Sequence, residues 1–148
     1  KIGSERLKRI YARTEAFFCN KEEARTILGK ELEIKELLEE IQKLGPKIVV
    51  ITDGPKSAYT FDGSEMLKIN EYPDPKPPYE RTGAGDAFSS TFVSALVLGK
   101  SVREALMWGP INSMSVVQYF GSQKGLLTRP ALEKYLTEAP KDYIPVKI

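Results

Sequence analysis

A glycine-rich turn directly before a long apolar helix is the strongest chemical feature of this sequence. Thr82–Gly83–Ala84–Gly85–Asp86 leads into a helical pattern that runs to Leu98. The first amides of a helix have no partners inside it and carry the positive end of its dipole, so they bind anions, most often phosphate. Glycines let the backbone approach such a ligand closely. The Asp86 carboxylate at this turn could accept the proton of a hydroxyl that attacks a phosphoryl group.

A structural interpretation of the same turn is equally open on spacing alone. Gly85 could end a loop, and Asp86 could charge or cap the start of a helix. No Gly-Lys-Ser/Thr sequence follows, so the turn is not a Walker-type phosphate loop. The choice between the two interpretations therefore depends on other motifs.

Two strand ends carry polar residues that also have local structural explanations. Asn20 follows the apolar run 16–19, and Glu23 comes three residues later, which is the spacing of a capping-box-like pair. Thr52–Asp53–Gly54–Pro55–Lys56–Ser57 ends a β-branched run and is typical of a turn. When each segment is considered alone, a structural explanation is the stronger one for Asn20 and Glu23. For the segment 52–57, a structural explanation is nearly as strong as a functional one.

Together the three segments resemble the ribokinase (PfkB) family of carbohydrate kinases. The stretch 80–88, ERTGAGDAF, resembles the family's C-terminal signature D-T-T-G-A-G-D-x-F. The stretch 20–23 fits the family's N-x-x-E motif, and the stretch 52–57 resembles its T-x-G-x-x-G nucleotide loop. The motifs occur in the family's order, and the resemblance extends from about Ala16 to Leu136.

The resemblance implies ATP-dependent phosphorylation of a hydroxyl on a sugar or sugar acid, with Asp86 as the general base. It also implies that Asn20 and Glu23 act on the Mg-ATP phosphates, Glu23 through magnesium-bound water. The amides assigned to the transferred phosphoryl group belong to Gly83, Ala84 and Gly85. The residues assigned to the nucleotide are Thr52, Gly54 and Asn112.

The late helices would carry the adenine pocket in such a kinase. Asn112 lies in the small-residue stretch 109–113, where the base could approach. An asparagine that is exposed or bonded within its helix explains this position equally well. We expect three aromatic residues of the same region to lie in the core, namely Trp108, Tyr119 and Phe120.

The sequence departs from the family pattern near the proposed centre. Glu80 replaces the usual Asp, and Arg81 replaces a Thr. In many members that Asp and the Thr matching Thr82 help to bind a monovalent cation, so Glu80 and Thr82 are candidate ligands of K⁺, and the longer Glu80 puts this site in question. Ser57 replaces a glycine of the nucleotide loop, and Gly125 lies where some members have a serine.

Periodicity and turn residues predict the elements that would position these side chains. The predicted strands cover 16–19, 47–52, 57–61 and 66–70, the last two as a hairpin across Asp62–Gly63. The predicted helices cover 4–12, 21–28, 34–44, 84–98, 101–120 and 129–136. Pro110 should kink or split the fifth helix. We expect an α/β ribokinase-like layered fold, its C-terminal half, with a mainly parallel sheet, a β-hairpin and late helices.

Family members are about twice as long as this chain of 148 residues. We therefore expect residues 1–148 to be the C-terminal ATP-binding and catalytic portion, with the N-terminal sugar-binding half and lid absent. Alone, this portion should be inactive. Two other functions remain open, a nucleoside kinase of the same fold and a non-catalytic nucleotide-binding module.

Composition excludes several kinds of chemistry. The chain has no His, so Ser–His and Cys–His catalysis and His-ligated zinc are excluded. A net charge of +2 gives no argument for nucleic acid or membrane partners, and no apolar run is long enough to span a bilayer. A single Cys19 fits a reducing compartment. We expect a cytoplasmic enzyme with a small-molecule substrate, and a homodimer is left open.

Overall fold

Residues 4–148, which the computed structural model describes, form six helices and five strands. The strands are β1 (Ala16–Asn20), β2 (Ile48–Thr52), β3 (Ser57–Phe61), β4 (Met66–Asn70) and β5 (Val146–Lys147). The helices are α1 (Ser4–Tyr11), α2 (Lys21–Leu28), α3 (Ile34–Lys43), α4 (Ala84–Val97), α5 (Val102–Val116) and α6 (Arg129–Thr137).

The sheet has the strand order β1-β2-β3-β4-β5. β1 and β2 are parallel, and their register places Asn20 beside Thr52 at the carboxyl ends of both strands. β2 and β3 are antiparallel, with Thr52 opposite Ala58. The sheet is therefore mixed, where a mainly parallel one was expected, because a short turn joins β2 to β3 while helices join β1 to β2. The expected α/β class and the hairpin strands are confirmed.

Backbone contacts divide the chain into two units. The first comprises the chain up to Lys68 together with Lys147–Ile148. Its core lies between α2, α3 and the first two strands, and β2 contributes three consecutive buried residues, 49–51. The buried members of this core are Cys19, Ala24, Leu37, Leu38, Ile41, Val49 and Ile51.

The second unit, Ile69–Val146, is built around α4 and α5, which pack against each other. A Cβ at position 109 would lie 2.8 Å from the Phe88 ring, so a glycine is required where the two helices approach. The small residue at position 109 thus makes room for Phe88. The largest fully buried side chains of this unit include Phe92, Leu106, Ile111 and Val116.

Helix α5 differs from the expectation in two respects. Pro110 lies inside a helix that continues from Val102 to Val116, so the proline does not split it. The helix also ends before Tyr119 and Phe120, which are 43% and 75% exposed. The expected core position is therefore wrong for these two aromatic residues and right for Trp108, which is buried. Once the chain leaves the helix, the 3.6-residue period no longer decides which side chains face inward.

Candidate active site

The start of α2 is capped by its own side chains. Asn20 ends β1 and caps α2, and its Oδ1 accepts a hydrogen bond from the Glu23 amide at 2.8 Å. The Glu23 carboxylate in turn accepts the Asn20 amide at 2.8 Å. This reciprocal capping box is the structural explanation that the sequence offered for the pair. Both side chains are nevertheless exposed, so each keeps oxygen lone pairs available to a ligand.

The turn between β2 and β3 lies beside Asn20, because Thr52 is its register partner. Gly54 has a φ of +54°, which favours glycine, and the Asp53 amide donates to the Ser57 carbonyl at 2.9 Å. Ser57 is buried as the first residue of β3. The structure thus brings together Asn20, Thr52 and Gly54 at the carboxyl edge of two parallel strands, the edge at which open α/β sheets bind ligands.

A groove of about 410 Å³ runs along β1 and α2. Its lining residues are Phe17, Phe18, Cys19, Asn20, Glu22, Glu23, Thr26 and Ile27. Burial raises the pKa of the Cys19 thiol to about 12, and the nearby Glu23 charge adds to this effect. Cys19 is therefore a protonated core residue at neutral pH and does not serve as a nucleophile.

The start of α4 is open, unlike that of α2. Gly83 precedes the helix in the left-handed conformation, with a φ of +81°, and no side chain caps it. The Ala84 amide donates to the Arg81 carbonyl at 3.3 Å, and the Ala87 amide donates to the Gly83 carbonyl at 2.8 Å. Between them, the amides of Gly85 and Asp86 have no acceptor among residues 4–148. Two donors at the positive end of a helix dipole are thus available to an anion.

The Asp86 side chain is exposed in the first turn of α4. Within the described part of the chain, no side chain or amide donates to its carboxylate. Thr82 and Arg81, just before the helix, are also exposed. Burial raises the pKa of Glu71, with a contribution from Asp74, and the Arg81 charge opposes that increase. The Asp86 carboxylate thus keeps its acceptor oxygens available beside the open start of α4.

Sequence reasoning missed the loop that supports this turn, which we call the buttress loop (residues 117–122). The amides of Tyr79 and Glu80 both donate to the Val117 carbonyl, at 2.8 and 3.3 Å. The Glu80 carboxylate accepts the Gly121 amide. A Cβ on Gly83 would lie 2.7 Å from the Ser122 Cα. The one local signal for this loop was Gly121, whose φ of +86° permits the reversal after α5.

Asn112 has a structural role inside the second unit. It is 6% exposed, its amide donates to the Thr91 hydroxyl at 2.7 Å, and its Oδ1 accepts the Leu127 amide at 2.9 Å. Gly125 is also constrained, because a Cβ there would lie 2.5 Å from the Ser115 carbonyl oxygen. A serine would not fit at position 125 without moving the end of α5.

A family comparison agrees with this fold and these motifs. Residues 2–129 match the model of the pfkB family of carbohydrate kinases. The match covers more than half of the chain, so the chain belongs to this family. No helix in the described part of the chain is both long and apolar enough to cross a membrane.

Curated relatives include kinases of different substrates. The chain is 36% identical to a ribokinase from Bacillus subtilis over 118 residues, 80% of this chain and 38% of the relative. It is 32% identical to an ATP-dependent 6-phosphofructokinase from Thermoanaerobacterium thermosaccharolyticum, over 81% of this chain and 36% of the relative. A cytidine kinase from Thermococcus kodakarensis is also 32% identical, over 78% of this chain and 41% of the relative. The chain thus spans less than half the length of these relatives.

Solved structures share the ribokinase-like α/β fold. Arabidopsis thaliana ribokinase complexed with ribose and ATP superposes with a TM-score of 0.80 at 26% identity, over 87% of this chain and 43% of that chain. An Escherichia coli protein described as a candidate ribokinase II, in complex with ATP and Mg²⁺, gives a TM-score of 0.79 at 19% identity. The superposition covers 90% of this chain and 42% of that chain, and at this identity it is evidence only for a shared fold.

Proposed function

We propose that this chain is the C-terminal ATP-binding and catalytic portion of a kinase that phosphorylates a hydroxyl of a sugar or sugar acid. The open start of α4 carries this proposal. Two amides without acceptors lie in the same helical turn as an exposed Asp86 carboxylate that has no donor among the described residues. Phosphoryl transfer depends on such a combination, because charge stabilisation and positioning account for most of its catalysis.

The proposed reaction moves one proton and exchanges one P–O bond for another. Asp86 accepts the proton of the substrate hydroxyl, and the oxygen attacks the γ-phosphorus of ATP. The bond from that phosphorus to the β–γ bridging oxygen breaks, and ADP leaves. The amides of Gly85 and Asp86, with the backbone of Gly83 and Ala84 around them, would hold the equatorial oxygens while the charge shifts.

The start of α2 would act on the ATP phosphates together with magnesium. Within the described residues, no group of three or more acidic or cysteine side chains could hold a metal ion directly. Magnesium keeps much of its water when it binds nucleotides, and it would neutralise the phosphate charge. An exposed carboxylate that uses one oxygen in the capping box fits this arrangement, so Glu23 would bind magnesium-coordinated water. Asn20, Thr52 and Gly54 would contact the nucleotide.

Asn112 would border the adenine through the segment that it holds. Its amide oxygen accepts the Leu127 amide, and its nitrogen donates to Thr91, so its contacts order the chain after α5. We therefore assign its effect on ATP affinity to the position of this segment. One amide hydrogen of Asn112 would remain available to the adenine.

The monovalent cation expected at Glu80 and Thr82 would have to share Glu80 with the buttress loop. The Glu80 Oε1 atom accepts the Gly121 amide, which leaves Oε2 as the carboxylate oxygen that could contact a cation. The proposed reaction as written includes no step that involves K⁺. K⁺ activation remains a separate prediction of the family resemblance, measured by titrating potassium chloride against choline chloride.

A nucleoside kinase is the second candidate function. The cytidine kinase relative supports it at an identity equal to that of the phosphofructokinase relative. The residues that we assign to ATP binding and the general base Asp86 would serve a sugar kinase and a nucleoside kinase equally. Both kinds of acceptor offer a hydroxyl to the same phosphoryl group. The substrate pocket must therefore come from parts of the protein outside the residues assigned here.

The acceptor assay uses the full-length gene product, because the relatives are more than twice as long as the part matched here. ATP labelled at the γ-phosphorus is incubated with Mg²⁺ and a panel of sugars, sugar acids and nucleosides. Label on a sugar or sugar-acid hydroxyl supports the proposal, and label on a nucleoside alone supports the second candidate. ATP binding without transfer to any acceptor favours a non-catalytic module. The isolated 148-residue chain should transfer no label.

A further inference from the structure

Glu80 connects two segments that are far apart in sequence. Its carboxylate accepts the amide of Gly121, 41 residues later, and it is partly buried. The backbone amides of Tyr79 and Glu80 donate to the Val117 carbonyl in the same buttress loop. The Tyr79 ring meets the Phe120 ring edge to face, with centroids 6.2 Å apart. The segment before the turn is therefore attached to the buttress loop through its backbone and through two side chains.

The turn itself rests on the same loop. Gly83 packs so closely over Ser122 that no side chain fits between them. No side chain caps α4, and the Gly85 and Asp86 amides have no acceptor among the described residues. The peptide planes that carry these amides belong to the first turn of α4, so the position of the amides follows from the turn before the helix and from the residue on which that turn rests.

We propose that Glu80 is a positioning residue whose carboxylate, by accepting the Gly121 amide, holds the buttress loop against the turn that opens α4. It thereby fixes the Gly85 and Asp86 amides for the transferred phosphoryl group. This inference rests on the proposed function, and Glu80 itself touches neither ATP nor the acceptor.

The length and the acceptor atom of Glu80 matter in this role, and its charge matters less. An aspartate at position 80 would end about 1.5 Å short of the Gly121 amide, the length of one carbon–carbon bond. A glutamine would keep both the length and an oxygen that accepts the N–H, but it carries no charge. A cation ligand has the opposite requirement, because an aspartate keeps the charge and a glutamine loses it.

The test compares Glu80→Gln, Glu80→Asp and Glu80→Ala in the full-length protein, with Glu138→Gln as a matched control on an exposed carboxylate of the same unit. We expect Glu80→Gln to keep kcat within about threefold of wild type, and we expect Glu80→Asp and Glu80→Ala to lower it about tenfold or more. KM for ATP should change less than kcat, because the amides act on the moving phosphoryl group.

A second readout separates this inference from the proposed function. Hydrogen exchange of the Gly121 amide should be slow in wild type and Glu80→Gln, and it should accelerate in Glu80→Asp and Glu80→Ala whether or not the protein is active. If the wild-type protein transfers no phosphoryl group, the proposed function fails. The exchange rates alone then show whether Glu80 accepts the Gly121 amide. Where Glu80→Ala does not fold, the Gln and Asp variants decide. Equal activity of all variants, or an aspartate more active than the glutamine, would overturn the inference.

Discussion

The first turns of α2 and α4 differ in how their unpaired backbone amides are treated. Every helix begins with amides that have no partner inside it. At α2, the Asn20 side chain accepts the Glu23 amide and the Glu23 carboxylate accepts the Asn20 amide, within four residues of sequence. At α4, no side chain caps the helix, and the Gly85 and Asp86 amides have no acceptor among the described residues. The first start thus has a side-chain cap made by its own residues, whereas the second has no side-chain cap.

This difference shows where the two regions obtain their order. The α2 start needs only its own residues, so its geometry would survive changes elsewhere in the chain. The α4 start depends on the buttress loop, which reaches it through Glu80, Val117 and Ser122. An open helix start costs stability, and the distant support offsets that cost while leaving the amides free. Binding sites commonly make this exchange of stability for function.

The largest difference between the regions should come from Gly83→Ala. Alanine at a φ of +81° is strained, and its Cβ would lie 2.7 Å from the Ser122 Cα. We expect the variant to lose about 2 kcal/mol of unfolding free energy or more, measured by urea denaturation. Gly85→Ala is the matched control for stability, because a Cβ there meets no atom within 4 Å and Gly85 lies in the helix. The dependence of the turn on the loop would be refuted if both variants were equally stable.

A smaller effect is expected for the cap of α2. Asn20→Ala removes the side chain that accepts the Glu23 amide and should cost about 1 kcal/mol of unfolding free energy. Ser101→Ala removes the equivalent cap of α5, whose Ser101 and Glu104 form the same reciprocal pair, and it should cost a similar amount. Only Asn20→Ala should also lower kcat/KM for ATP. Equal kinetics for the two variants would leave Asn20 with a structural role alone.

The smallest effect concerns the pH dependence of the α5 cap. Hydrogen bonds from the Ser101 amide and hydroxyl, helped by Lys100, lower the pKa of Glu104 from 4.5 to about 2. Because the folded state has the lower pKa, the stabilisation from the ionised carboxylate is present above pH 4.5 and is lost as the pH falls toward 2. The difference in urea midpoint between wild type and Glu104→Gln should shrink across this interval. A constant difference would show that the carboxylate charge does not stabilise the cap.

Local features of the molecule were predictable from sequence. The strand ending at Asn20, the helix stopped by Gly29 and the hairpin around Asp62–Gly63 all formed as their residues indicate. Each depends on residues within a few positions, such as a cap, a left-handed glycine or a run of apolar side chains. The capping box at Asn20 and Glu23 was visible for the same reason.

The support of the α4 turn was not predictable, because it depends on contacts across the fold. Nothing near Glu80 in sequence indicates that Gly121 donates to it, and Gly83 gives no sign that Ser122 lies beneath it. The helical period wrongly predicted that Tyr119 and Phe120 are buried, because the chain leaves the helix before them. Composition and spacing indicate whether a segment forms a helix, a strand or a turn, but they do not indicate which distant residues will contact it in the fold.

The most direct test of the account is the turnover of Asp86→Asn in the full-length protein, measured with the acceptor found in the labelled-ATP assay. Asparagine keeps the size and position of the side chain but cannot accept the hydroxyl proton. We predict that kcat falls about a hundredfold or more while the dissociation constant for Mg-ATP changes little, and that Asp142→Asn, the same change at an exposed residue, has no effect. Near-normal turnover of Asp86→Asn would contradict the assignment of the open α4 start as the catalytic centre.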